Sequence, residues 1–90
     1  MGTEIADGKV SALEIGAHYT GTCRAWFDRG RGYGFVRVDG VREELFVPAR
    51  NIVNAAGLDR GDRVRFDVRM GYDGKLMADN VELVTVEPWP

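Results

Sequence analysis

The most regular pattern in the chain lies between residues 62 and 70, where apolar and charged side chains alternate. The apolar members are Val64, Phe66, Val68 and Met70, and the charged members are Arg63, Arg65, Asp67 and Arg69. A period of two is that of a β-strand with one face in a core and the other in water. The segment is therefore predicted to be a strand whose charged face is solvated.

Four other segments combine strand-forming residues with flanking turn residues: 20–28, 33–38, 45–47 and 75–84. Pro48 ends the third strand because proline has no N–H to donate, and residues 49–52 suit one helical turn. The register of the last strand slips near Asp79 and Asn80, which predicts a bulge. Five short strands and no long helix predict an all-β fold, and a closed five-stranded antiparallel barrel leaves the fewest exposed edges in a small domain.

The two ends of the chain lack such patterns. Residues 1–19 show no regular period and are predicted to be an N-terminal tail, mobile unless it docks on the barrel. Residues 20–84 form the predicted barrel domain, and residues 85–90 a short C-terminal tail. No apolar run reaches the roughly 18 residues needed to span a membrane, and the N-terminus lacks the features of a secretion signal.

Reactive residue types are scarce in the sequence. The single cysteine, Cys23, excludes an internal disulfide and is typical of a reducing cytoplasm, so we expect a cytoplasmic protein in which Cys23 is a small buried apolar side chain. The only histidine, His18, excludes a multi-histidine metal site and is predicted to lie on the surface. Since no nucleophile–base set is recognisable, the chain is predicted not to be an enzyme and to need no cofactor or metal.

Residues 29–38 combine glycines, aromatic rings and arginines. On a strand, Tyr33 and Phe35 point to one face and Val36 and Val38 to the other. Residues 21–52 hold six arginines and four acidic residues, so this third is net positive although the whole chain carries −2. Rings flanked by arginines suit unpaired nucleic-acid bases, whereas a glycine-rich hairpin with two exposed rings explains the same residues equally well.

Five short segments match the motifs of a known family in order and in approximate spacing. In chain order they are Trp26-Phe27-Asp28, Gly32-Tyr33-Gly34-Phe35-Val36, Leu45-Phe46-Val47, Gly61-Asp62-Arg63-Val64-Arg65-Phe66 and Ala78-Asp79-Asn80-Val81. The set resembles the cold-shock domain of bacterial cold-shock proteins and Y-box proteins, over about two-thirds of the chain. The resemblance implies an OB-fold barrel that binds single-stranded RNA or DNA.

The resemblance also implies which residues form the binding site. Bases would stack on the aromatic side chains Trp26, Phe27, Tyr33, Phe35 and Phe46. Apart from the resemblance, the positive charge of four arginines in this part of the chain is expected to attract phosphates: Arg24, Arg29, Arg31 and Arg50. Such a site would bind about 4–7 nucleotides with little sequence preference, as an RNA chaperone or regulator does.

Three departures from the family pattern affect the predicted site. Pro48 and Ala49 stand where the family usually has a histidine and a phenylalanine, and Ala25 replaces a lysine. The loop after Ile52 is shorter and lacks a further aromatic residue. These changes leave an alternative open, in which the barrel is a protein–protein interaction module that binds a partner chain or a second copy through its exposed rings.

Overall fold

The computed structural model describes residues 12–84, which form five strands and one short 3-10 helix. The strands are β1 (His18–Phe27), β2 (Tyr33–Val38), β3 (Glu44–Pro48), β4 (Arg63–Met70) and β5 (Leu76–Leu83), and the 3-10 helix spans Ala49–Asn51. The predicted all-β fold is therefore confirmed. β2 has the predicted bounds, whereas β1 begins two residues before the predicted start.

The strands close into a barrel in the order β1-β2-β3-β5-β4. β1 is long enough to pair with both β2 and β4, and these pairings, like β2–β3 and β4–β5, are antiparallel. The closing pairing of β3 with β5 is parallel and joins Phe46 to Met77. A second parallel bridge, between Ile52 and Val81, extends this seam. Closure leaves no long strand edge exposed for aggregation.

The core is built from the inward-facing residues of each strand. Val36, Val47, Val64 and Val81 are completely buried, as expected for apolar side chains at alternate strand positions. Met70, which continues the alternation of β4, is instead 46% exposed because the strand ends there. Cys23 is buried, as predicted, and burial raises the pKa of its thiol.

Two bulges interrupt the antiparallel ladders. On β1, Cys23 pairs with Val36 but Ala25 pairs with Phe35, so Arg24 is an extra residue. On β5, the ladder with β4 shifts near Asn80, whose φ is 48°. Asparagine tolerates this left-handed conformation better than most residues. The second bulge confirms the register slip predicted from the sequence.

Residues 12–17 lie against the barrel ahead of β1. The Leu13 side chain is buried in the core, and the backbone N–H of Gly16 donates to the carbonyl oxygen of Val68 at 2.8 Å. The backbone N–H of Glu14 donates to the hydroxyl of Tyr19 at 2.8 Å. Residues 1–11 of the predicted N-terminal tail (1–19) and the predicted C-terminal tail (85–90) lie outside the described residues. Within residues 12–84, no helix is long and apolar enough to cross a membrane.

Candidate nucleic-acid interface

Four aromatic side chains from three neighbouring strands lie side by side on the outer surface of the barrel. They are Phe27 of β1, Tyr33 and Phe35 of β2, and Phe46 of β3, and together we call them the aromatic patch. Phe27 stacks on Tyr33 with ring centroids 5.2 Å apart. Phe46 lies 5.8 Å from Tyr33 and 5.9 Å from Phe35. The rings therefore form one continuous aromatic surface.

The strand register explains why these rings share a face. Phe27 is paired with Tyr33, and Phe35 with Phe46, and directly opposed residues point to the same side of an antiparallel pair. Gly34 and Val36 alternate with them on β2 and are buried. Phe27 is 41% exposed and Phe46 36%, so their rings are accessible to a ligand.

Trp26 stands apart from the aromatic patch. It pairs with Gly34, so its indole lies on the opposite face of β1 from Phe27, half-buried and packed against the core. Its indole N–H donates to a carboxylate oxygen of Asp28 at 2.7 Å. The structure thus unites four of the five predicted stacking residues in one surface and leaves Trp26 on the opposite face of β1.

Gly34 is required by the close approach of Trp26 to β2. A Cβ at this position would lie 2.5 Å from the indole and 2.3 Å from the carbonyl oxygen of Ala25. Such distances leave no room for a side chain. The glycine between the two rings of β2 therefore allows β1 and β2 to pack closely behind the aromatic patch.

Pro48 and Ala49 form the edge of the aromatic patch nearest to Tyr33. Pro48 is the strand partner of Tyr33 and is buried, and Ala49 is half-buried. The backbone N–H of Ala49 donates to the carbonyl oxygen of Gly32 at 3.1 Å, which joins the 3-10 helix to the β1–β2 turn. The departure from the family motif thus leaves small apolar side chains, and no further ring, at this edge.

The four arginines predicted to attract phosphate lie on segments that carry or adjoin the rings of the aromatic patch. Arg29 and Arg31 lie on the turn between β1 and β2, and Arg50 on the 3-10 helix; all are exposed. None of these three forms an ion pair with any residue in the described range. Arg24, on the bulge of β1, pairs with Glu44 at 3.2 Å.

The arginines of β4 differ, because each one is matched by an acidic side chain. The pairs are Arg63 with Asp39 at 2.7 Å, Arg65 with Glu82 at 2.9 Å and Arg69 with Asp79 at 3.3 Å. Hydrogen bonds from the Arg63 guanidinium and the Thr20 hydroxyl lower the pKa of Asp39 to about 2. The hydrogen bond from Arg65 likewise lowers the pKa of Glu82. Each arginine of β4 thus has an acidic partner, whereas Arg29, Arg31 and Arg50 have none among residues 12–84.

A cleft continues the aromatic patch towards β5. Phe35, Phe46, Leu76 and Met77 line it together with charged residues of the β2–β3 and β4–β5 segments, and Tyr72, which also lines it, is fully exposed. The sequence analysis missed Met77 and Tyr72 as neighbours of the rings. Their proximity depends on the parallel seam between β3 and β5, which local pattern does not reveal.

His18, the residue from which the metal prediction is argued, lies on β1. The His18 side chain is exposed on β1 and its Nδ1 contacts a carboxylate oxygen of Asp67. Within residues 12–84, no three side chains of the metal-ligating types are grouped together.

Comparison with known proteins places this surface in context. The family model described as the 'Cold-shock' DNA-binding domain matches residues 19–84. Cold shock-like protein CspA of Stigmatella aurantiaca is 37% identical over 67 residues, which cover 72% of this chain and 96% of that protein. Cold shock protein 1 of Arabidopsis thaliana is 43% identical over 58 residues, or 62% of this chain and 19% of that protein. The matched range includes all five strands except the first residue of β1.

The relatives differ widely in length. Protein lin-28 of Caenorhabditis elegans is 42% identical over 60 residues, which cover 63% of this chain but 26% of that protein. The chain thus spans about a fifth to a quarter of the plant and nematode proteins and nearly the whole of the bacterial one.

Proposed function

Since the chain belongs to the cold-shock domain family, whose members bind single-stranded nucleic acids, we propose that it binds single-stranded RNA or DNA on the aromatic patch. Unpaired bases would stack on Phe27, Tyr33, Phe35 and Phe46, because each ring offers an apolar face of the size of a base. The observation that carries this proposal is the contact of four partly exposed rings across three strands, bordered by arginines.

The mode of binding follows from the chemistry of this surface. Stacking does not distinguish bases strongly, so sequence preference should be low, and a footprint of about 4–7 nucleotides fits one OB-fold. Arg29, Arg31 and Arg50 would attract phosphates at the border, and Arg24 would contribute where it is not held by Glu44. By holding bases unpaired, the protein would oppose RNA hairpins as a passive chaperone or regulator, without enzymatic activity, in the cytoplasm.

The proposal gives Trp26 a separate stacking role, away from the four rings of the aromatic patch. Its indole lies on the other face of β1, so a base would reach it beyond the end of the aromatic patch rather than on it. Pro48 and Ala49 supply no ring for a further base. The proposal therefore assigns most of the stacking energy to the four rings of the patch.

Fluorescence anisotropy of a labelled oligothymidylate and of an RNA of the same length at low salt tests the proposal. Base–aromatic stacking contributes about 1–3 kcal/mol per base, so Phe35→Ala should weaken binding about tenfold or more. Val53→Ala is the matched control, since Val53 is 62% exposed in a loop outside the patch. Circular dichroism should show that both variants stay folded.

Two results would contradict the proposal. One is the absence of binding to either oligonucleotide by the folded parent protein at low salt. The other is equal affinity of Phe35→Ala and Val53→Ala. A labelled oligonucleotide is the better probe because the chain has two tryptophans, and only Trp26 lies in the described range.

A second function, binding of a protein partner or of a second copy, is favoured by the apolar edge of the patch. The half-buried side chains of Leu76 and Met77, which line the neighbouring cleft with Phe35 and Phe46, extend the apolar surface beyond the rings. Large exposed apolar patches are typical of protein interfaces. Light scattering at increasing protein concentration would detect a dimer, and Phe46→Ala should abolish it if the patch is the interface.

A further inference from the structure

The outer face of β2 continues past the aromatic patch to an arginine. Tyr33, Phe35 and Arg37 occupy alternate positions of the strand, so their side chains leave the same face at intervals of about 7 Å. Arg37 lies between Thr22 of β1 and Glu44 of β3, its partners across the sheet. It is therefore the next outward residue after Phe35 in the direction of the β2–β3 turn.

Arg37 lines a shallow groove together with Arg24 and Arg42, and we call these three residues the arginine patch. Glu44 is a cross-strand neighbour of Arg37, but its carboxylate pairs with Arg24. Arg37 and Arg42 are exposed, and neither forms an ion pair with a residue between 12 and 84. Two positive charges thus remain uncompensated in the groove.

Asp39 also lines the groove, but its charge is already matched from the side of β4. Arg63 donates to both carboxylate oxygens, at 2.9 and 2.7 Å, and the Thr20 hydroxyl donates to one of them at 2.6 Å. Both oxygens of this carboxylate are therefore engaged by Arg63 and Thr20 rather than by Arg37 or Arg42. Arg37 and Arg42 therefore expose their positive charges to solvent in this groove, although Asp39 also lines it.

We propose that the arginine patch binds the phosphodiester backbone of the same single strand whose bases stack on the aromatic patch. The inference rests on the proposed function and extends its footprint along β2 towards the β2–β3 turn. Guanidinium groups bind phosphate oxygens with paired hydrogen bonds, and none of the described residues that line this groove is aromatic. Contact here would be with backbone rather than with bases, and it would be independent of sequence.

The test compares two double variants that each remove two positive charges. Arg37→Gln with Arg42→Gln alters the arginine patch, and Arg65→Gln with Arg69→Gln alters β4, where each arginine has an acidic partner. Affinity is measured by anisotropy at several salt concentrations, for labelled oligothymidylates of about four and about ten nucleotides, lengths within the range of one OB-fold. Circular dichroism confirms that the variants are folded.

Each phosphate contact to a single strand contributes about 0.7 to the slope of log K against log salt. The arginine-patch variant should therefore lose about 1.4 from the slope measured with the longer strand, and its affinity should fall several-fold. Its affinity for the shorter strand should stay close to that of the parent, because four nucleotides can be held by the aromatic patch alone. The β4 variant should keep the parent's slope.

The outcomes separate this inference from the proposed function. An unchanged slope in the arginine-patch variant, or an equal loss in the β4 variant, would overturn the inference. The proposed function would then still stand if the parent binds and Phe35→Ala weakens binding. Failure of the folded parent to bind either oligonucleotide would overturn both.

Discussion

Phe27 stacks on Tyr33, with ring centroids 5.2 Å apart and ring planes inclined by 29°, because of the extra residue at Arg24. Side chains alternate between the two faces of a strand, so one inserted residue reverses the facing of every residue beyond it. The bulge thus turns Phe27 to the surface and Trp26 to the other face. The composition of the aromatic patch depends on a single residue of β1.

This relationship makes Phe27 an informative position for substitution. Phe27→Ala removes one of the four rings and leaves Tyr33 without its stacking partner, so affinity for an oligothymidylate should fall about tenfold. Since Phe27 is 41% exposed, its removal should change the unfolding midpoint little. Anisotropy titration and urea unfolding measure the two effects separately. An affinity within twofold of that of Val53→Ala would exclude Phe27 from the binding surface.

Gly34 provides a test of the packing behind the patch. Gly34→Ala should destabilise the barrel by about 1–3 kcal/mol or more, since the added Cβ would collide with the Ala25 carbonyl oxygen and with the Trp26 indole. Gly30→Asn is a control in a turn, where φ is 59° and a Cβ would meet nothing within 4 Å. Urea unfolding followed by circular dichroism should separate the two variants clearly. Equal free energies of unfolding for Gly34→Ala and Gly30→Asn would show that β1 can move away from residue 34 without destabilising the barrel.

Much of the barrel could be predicted from the sequence because its signals are local. Alternation along β4 and the regular pattern of β2 fixed the positions of those strands, and the slip near Asn80 indicated the bulge of β5. Tyr33 and Phe35 share a face for the same reason, since the period of a strand is two.

The remainder depends on contacts between distant segments. Nothing near Arg24 in the sequence shows that it is the extra residue of β1, because the register is set by pairing with β2. The proximity of Met77 to Phe46 requires the closing seam of the barrel. Leu13 joins the core although its segment has no strand period, so its burial could not be deduced from alternation. The predicted boundary between an N-terminal tail (1–19) and the barrel domain (20–84) stays a prediction.

The docked segment before β1 gives a prediction about stability. Leu13 is 7% exposed and Ile15 60%, so they form a matched pair of apolar residues two positions apart. Leu13→Ala should lower the free energy of unfolding by about 2–3 kcal/mol, because it removes a buried side chain from the core. Ile15→Ala should change it by less than about 0.5 kcal/mol. Equal effects in urea unfolding would mean that the segment does not contribute to the core.

The pair of Asp39 and Arg63 predicts how stability depends on acid. The pKa of Asp39 is about 2 in the folded protein and lies near its ordinary value of 3.8 when the chain unfolds. Protons therefore bind the unfolded state first as the pH falls below about 4. The stabilisation from this carboxylate is complete above that pH and is lost progressively as the pH falls towards 2.

Arg63→Gln isolates this contribution, because it removes the main cause of the lowered pKa while Thr20 remains. The variant should be less stable than the parent at pH 6, and the difference should shrink between pH 4 and pH 2 as Asp39 becomes protonated in both proteins. Urea unfolding at a series of pH values measures the difference. Arg60→Gln removes an exposed arginine that has no ion pair within residues 12–84, and its difference from the parent should not vary over this range. A constant difference for Arg63→Gln would show that its ion pair with Asp39 does not stabilise the fold.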